Sequence, residues 1–124
     1  MSESRYVVTE ESGRPFTGLG ALVTRLIHPN TVGSDRLGVS IAHMNPADRI
    51  RRHRHAYEEA YFVIEGEGEM FLEGEPLIAL RPGVAVYVPP NAVHGQVNTA
   101  DGPLRILCSL SPPPVEGETP ELLE

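Results

Sequence analysis

The chain has 124 residues, 40% of them hydrophobic, which is enough for one packed domain and too many for a disordered chain. Ten basic residues stand against 17 acidic ones, a formal charge of −7, which excludes the basic surface that nucleic acid requires. All ten basic residues are arginine, so Schiff-base chemistry and a lysine general base are excluded as well.

Glycine and proline number twelve each, a density of breakers that argues against a helical bundle and for short strands joined by turns. The single cysteine, Cys108, excludes an intramolecular disulfide framework. No run approaches the roughly 20 apolar residues of a membrane span, and MSESRYVVTEES carries no charged-then-apolar leader. The expectation is a soluble cytoplasmic protein that binds no membrane. The phosphate motifs GxxxxGK[ST] and GxGxxG and the nucleophile elbow GxSxG are all missing.

The first residues, 1–14, read as an N-terminal arm or added edge strand, with Tyr6–Thr9 the most strand-like part. Strand-like runs then follow at Leu19–Ile27, Leu37–Met44, Arg49–His55, Ala60–Ile64, Glu69–Leu72, Leu77–Leu80, Val84–Val88, His94–Asn98 and Leu104–Leu110. Turn signals separate them, among them Glu-Gly-Glu at 73–75, Arg-Pro-Gly at 81–83, Pro-Pro-Asn at 89–91 and Asp-Gly-Pro at 101–103. This spacing predicts one all-β domain over 15–110, a sandwich or barrel. Residues 111–124, acidic and proline-rich without a basic residue, are expected to form an extended, solvated tail.

Five histidines occur, and two of them, His53 and His55, stand two apart in RIRRHRHAYEEAYFVIEG. On a strand, residues two apart share a face, so both rings can converge on one point. On a helix they would diverge by about 200°, and only His55 and Glu59 would pair. The strand reading uses all three residues if a short turn at Ala56–Glu58 brings Glu59 back. His94 follows a Pro-Pro turn at the start of another run. Three imidazoles and one carboxylate suit a divalent transition metal: Fe, Mn, Ni, Co or Zn.

These positions resemble the cupin superfamily. Its first motif, G-x5-H-x-H-x3/4-E-x6-G, is met by His53, His55, Glu59 and Gly66. Its second, G-x5-P-x-G-x2-H-x3-N, is met by Gly83, Pro89, His94 and Asn98. Ala47 and Asn91 stand where glycines belong, both at turn positions, and Asn tolerates the left-handed conformation. The resemblance implies a small single-domain jelly-roll barrel with one divalent metal on His53, His55, Glu59 and His94. It implies an enzyme acting on an enolisable or chelating oxygen-bearing small molecule, with dioxygenase the first subclass and isomerase, lyase or decarboxylase next. A non-catalytic metal or small-molecule binding module is the alternative. It also implies a homodimer, with Tyr6–Thr9 the candidate for exchange with the partner's edge.

Other residues are placed by parity. Arg51 shares the parity of His53 and His55 and is a candidate to point inward and grip an anionic substrate. Arg49, Arg52 and Arg54 are expected on a solvated or interface face. Tyr61 and Gln96 continue the inward parity of Glu59 and His94, and Cys108 completes the pocket candidates, with apolar walls from Val63 and Ile106. Glu58 is expected as a solvated turn residue, as are Glu65, Glu67 and Glu69 on a turn and strand face. His28 is expected at the surface, and His43 in a structural or surface role.

Overall fold

A computed structural model describes residues 4–114 and 120–124. Eleven strands are described, in chain order β1 (Arg14–Phe16), β2 (Leu22–Ile27), β3 (Gly38–Met44), β4 (Arg49–Arg54), β5 (Glu58–Glu65), β6 (Gly68–Leu72), β7 (Ile78–Leu80), β8 (Ala85–Val88), β9 (His94–Asn98), β10 (Leu104–Ser111) and β11 (Glu121–Leu122). All pair antiparallel. They form a six-stranded sheet, β1-β2-β3-β10-β5-β8, and a five-stranded sheet, β11-β4-β9-β6-β7. Long crossovers, such as β10 returning between β3 and β5, make this a jelly roll. No helix among the described residues is long and apolar enough to cross a membrane.

Alternation builds the interior. Along β5, Glu59, Tyr61 and Val63 are buried while Glu58, Ala60, Phe62 and Ile64 are exposed. Along β10 the buried set is Leu104, Ile106, Cys108 and Leu110. Period-two burial of this kind is what a sheet with one face on the core requires. The lower core packs Met44, Val63, Met70, Leu80, Leu104 and Ile106 between the sheets, and the histidines lie above it.

The motif positions that depart from glycine are conformationally special. Ala47 has φ 71° and Asn91 φ 67°, both left-handed, so the turn shape is kept without the residue that adopts it most easily. Gly66, at φ 88°, lies against the Pro103 carbonyl and Leu104 Cα, where no side chain fits. Asn98 closes the second motif as a clasp: its Nδ2 donates to the Met44 and Gly102 carbonyls, each at 2.9 Å.

No strand forms over Tyr6–Thr9: Tyr6 lies in a turn, residues 7–9 take no regular structure, Tyr6 and Val7 are exposed, and strand structure starts at Arg14. The other end differs from expectation. The tail returns to the barrel: β11 pairs with β4 through Glu121↔Arg54 and Leu122↔His53. The reason is charge and edge pairing. The outward arginines of β4 meet the tail's carboxylates, Arg54 with Glu121 at 2.5 Å and Arg49 and Arg52 with Glu124, and β11 satisfies an otherwise open strand edge. Residues 115–119 of the tail lie outside the described residues. His28, expected at the surface, is buried, its Nδ1 accepting from the Asn30 N–H at 3.1 Å; His43 is half-buried on β3.

Candidate metal centre

The bend at Ala56–Tyr57 between β4 and β5 brings Glu59 back across from His53 and His55, and β9 supplies His94 opposite His53. His53, His55, Glu59 and His94 are all buried. One ring nitrogen from each histidine lies within 4.8 Å of the others. Oε1 of Glu59 is 3.0 Å from Nε2 of His55 and 3.5 Å from Nε2 of His94.

Each ring is held by a backbone carbonyl: His53 Nδ1 by Arg51 at 2.7 Å, His55 Nδ1 by Tyr57 at 2.9 Å and His94 Nδ1 by Ala92 at 2.9 Å. A carbonyl oxygen only accepts, so each Nδ1 carries the hydrogen and each Nε2 presents a lone pair. His94 Nε2 is buried with no hydrogen-bond partner among the described residues. His55 Nε2 and Glu59 Oε1, 3.0 Å apart, need either a proton or a metal ion between them. About 3 Å is also the spacing of adjacent ligands that lie about 2.1 Å from one ion. The three buried histidines could therefore hold a metal ion, and the Glu59 carboxylate fits beside them.

Neighbouring groups orient the set. The Tyr57 ring stacks on His55 with centroids 3.8 Å apart and an interplanar angle of 9°. Tyr61 donates its hydroxyl hydrogen to Glu59 Oε1 at 3.0 Å. Burial, and then the neighbouring His94, push the His53 imidazole down to about 4. Burial acts first on Glu59 and upward, but contact with the His55 and His94 rings outweighs it and holds the carboxyl below its ordinary value. Burial, reinforced by the Glu59 charge, raises the Tyr61 hydroxyl and the Cys108 thiol well above their ordinary values. Both therefore stay protonated at neutral pH.

A cavity of about 60 Å³ opens over His53, His55 and Glu59. Tyr61, Gln96 and Cys108 line it, at the positions that parity assigns. Arg51 does not. The β4–β9 register shifts between Ile50 and His53, and this bulge reverses parity, so Ile50 and His53 are buried while Arg51 and Arg52 are exposed. Arg51 instead donates from Nη2 to the Gly18 carbonyl at 3.1 Å and from its backbone N–H to Leu19 at 2.8 Å. Gly95 accommodates the bulge, since a side chain there would press on Arg52. Val63 and Ile106 lie deeper, in the core and outside the cavity wall. Phe16, Leu19, Val23 and Ala42 form the apolar wall instead, and Pro114 and Pro120 from the tail add to it. Glu58 is exposed and accepts from the Tyr87 hydroxyl at 3.0 Å, while Glu59 faces inward.

Sequence reasoning missed Phe16, Arg25, Ser40 and Tyr57 at this cavity. An aromatic between His55 and Glu59 is a usable local signal for Tyr57. The others sit on strands whose inward face only the sheet register defines.

Comparison with known proteins agrees with this architecture. Residues 40–110 match the cupin domain family. An uncharacterized protein of Methanocaldococcus jannaschii is 33% identical over 106 residues, covering 85% of this chain and 83% of that protein. The polyketide synthase CurC of Streptomyces cyaneus is 33% identical over 107 residues, covering 86% of this chain and 69% of its own length. The Mn(II)-containing oxalate decarboxylase of Bacillus subtilis superposes with a TM-score of 0.82 at 14% identity, over 99% of this chain and 33% of that one. The chain belongs to the cupin family. Its described residues form one small cupin domain with three buried histidines that could bind a metal.

Proposed function

We propose that the protein is a metal-dependent enzyme that acts on a small, enolisable, oxygen-bearing compound at a single divalent ion held by His53, His55, His94 and Glu59. One observation carries the reading: three buried imidazoles, each with Nδ1–H tied to a carbonyl, bring one ring nitrogen each within 4.8 Å of the others, and the Nε2 atoms of His55 and His94 lie 3.0 and 3.5 Å from Glu59 Oε1. Bound there, a divalent ion would supply Lewis-acid polarisation of a chelating oxygen, or a meeting point for substrate and dioxygen. The chain's own residues do the rest. Tyr61 orients Glu59, the apolar wall limits water, and the protonated Tyr61 and Cys108 keep the pocket free of further negative charge. Similarity to a protein named as a polyketide synthase supports an enolisable carbonyl substrate, because a polyketide chain is built of such units. The manganese of the structurally similar oxalate decarboxylase supports a first-row divalent ion.

The test incubates metal-loaded protein with diketones, hydroxy ketones and sugar acids, with and without dioxygen, against a His53→Ala/His55→Ala variant. Turnover by the wild type alone supports the reading, and its dependence on dioxygen separates an oxygenase from an isomerase, lyase or decarboxylase. Tight binding without conversion of any compound would make the protein a binding module instead.

The homodimer is proposed on a separate observation. The outer face of the six-stranded sheet exposes Phe62 at 46%, Ile64 at 42% and Tyr87 at 56%, beside a cross-strand row from Ile41 through Leu107 and Phe62 to Ala85. A second copy covering this face would bury the patch. A mass of 13.5 kDa by light scattering at micromolar concentration would refute it.

A further inference from the structure

A cross-strand row of the five-stranded sheet sets one polar residue between two apolar ones. Gln96 of β9 pairs with Ile50 of β4 on one side and with Met70 of β6 on the other. All three are buried, and both flanking residues belong to the apolar core. Gln96 is 5% exposed and lies two residues on from His94, which is also buried on β9. An amide in such a row costs free energy unless its hydrogen-bonding groups are all used. One half of this amide is not used: its Oε1 is buried without a hydrogen-bond partner among the described residues. Gln96 also lines the cavity over the histidines.

Neighbouring bonds fix which half is left over. The Tyr61 hydroxyl has one hydrogen, and it goes to Glu59 Oε1 at 3.0 Å. The Gln96 amide bonds to the same hydroxyl, so Tyr61 accepts from Nε2–H and Oε1 remains. The Cys108 thiol, also on the cavity wall, donates to the Ile106 carbonyl at 3.7 Å. The hydrogens of both groups are thus committed elsewhere. Oε1 is a buried acceptor close to the metal ligands, and a donor for it has to come from what binds there.

We infer that Gln96 selects a substrate that keeps a hydroxyl hydrogen while it chelates the metal, a small α-hydroxy carbonyl compound whose O–H is donated to Gln96 Oε1. The inference rests on the proposed function and narrows its substrate class. A β-diketone gives up its acidic hydrogen as it chelates and is held as an enolate, with two acceptor oxygens and no donor. Beside Gln96 it would set acceptor against acceptor. An α-hydroxy ketone chelates through its carbonyl and hydroxyl oxygens and retains the O–H that Oε1 lacks. It is enolisable as well, so the narrower class stays within the proposed chemistry. Elsewhere on the wall, Phe16, Leu19, Val23 and Ala42 offer apolar contact to the rest of the molecule.

The probe pair is hydroxyacetone and methoxyacetone, which share both chelating oxygens and differ in whether one of them carries hydrogen. Each is titrated into protein loaded with cobalt(II), with the metal content of every sample measured, and the visible absorption of the ion reports ligand entry. Wild type should bind hydroxyacetone about tenfold more tightly, the cost of leaving one buried acceptor unpaired. Gln96→Leu removes the acceptor and suits the apolar row, and it should abolish the preference. Gln96→Met, with the length of the side chain but no acceptor oxygen, should do the same. Comparing two probes on one protein cancels any effect of either substitution on the metal through Tyr61. Equal affinities in the wild type would overturn the assignment of Gln96 and leave the metal-dependent reading standing. So would a preference that survives both substitutions, since it would come from the bulk of the methyl group. Fully metal-loaded wild type that binds neither probe would overturn the proposed function and this inference with it.

Discussion

The Tyr61 hydroxyl donates to Oε1 of Glu59 at 3.0 Å, from the same face of the same strand two residues on. The contact aims the carboxylate at the three imidazoles and occupies a lone pair that would otherwise be left unsatisfied in a buried site. Groups that orient a ligand typically contribute 10–100-fold to metal affinity. Tyr61→Phe should therefore lower affinity for a divalent ion by about tenfold in a competition titration, with the fold intact by circular dichroism. An unchanged affinity would show that the hydroxyl plays no part in orienting Glu59.

Adjacent glutamates should behave differently. Glu59 is buried against the histidines, whereas Glu58 is exposed on Tyr87. Glu59→Gln replaces a carboxylate with a neutral amide and should cost about tenfold or more in metal affinity. Glu58→Gln should change it little. The reverse ranking would mean that the bend after His55 presents the wrong carboxylate to the site.

Acid should destabilise the metal-free protein. The His53 ring, held at about 4 against an ordinary 6.5, binds fewer protons folded than unfolded between those values. Its stabilising contribution is complete above about pH 6.5 and is lost as pH falls toward 4, by up to about 3 kcal/mol. Glu59, held below its ordinary value, acts in the same direction: its contribution is present above the unfolded carboxyl value and lost as pH falls through the folded one. Denaturant titrations of chelator-treated protein at pH 7, 5.5 and 4.5 measure this. A flat profile would contradict the burial argument for His53.

Ala47 stores removable strain. Its φ of 71° is costly for a residue with a Cβ, so Ala47→Gly should stabilise the fold by about 1 kcal/mol, a rise of about 4 °C in Tm. Asn91, at φ 67°, tolerates that region better, and Asn91→Gly should gain less. Loss of stability in Ala47→Gly would show that the turn depends on the alanine side chain.

How much of this was legible in the sequence follows from what sets each feature. The strands β2 to β10 and the inward set on β5 could be read because alternation and turn residues are local. His53, His55, Glu59 and His94 could be singled out because their spacing is short-range and repeats a family pattern. Arg51 could not be placed, because one extra residue between Ile50 and His53 reverses parity and nothing in the local composition marks a bulge. The tail's return could not be read either: its acidity and prolines suggest solvation, and only the arginine-covered edge of β4 turns that charge into an attraction. Arg25 and Ser40 reach the cavity through sheet register, which pairs strands far apart in sequence.

The central claim is that His53, His55, Glu59 and His94 hold one divalent metal. Elemental analysis of protein purified without added metal or an affinity resin, compared with a His53→Ala/His55→Ala variant, tests it most directly. The account predicts about one first-row divalent ion per chain in the wild type, restored to that level by dialysis if lost, and essentially none in the variant. A wild type that takes up no divalent ion under any loading condition, or a variant that keeps the full complement, would contradict it.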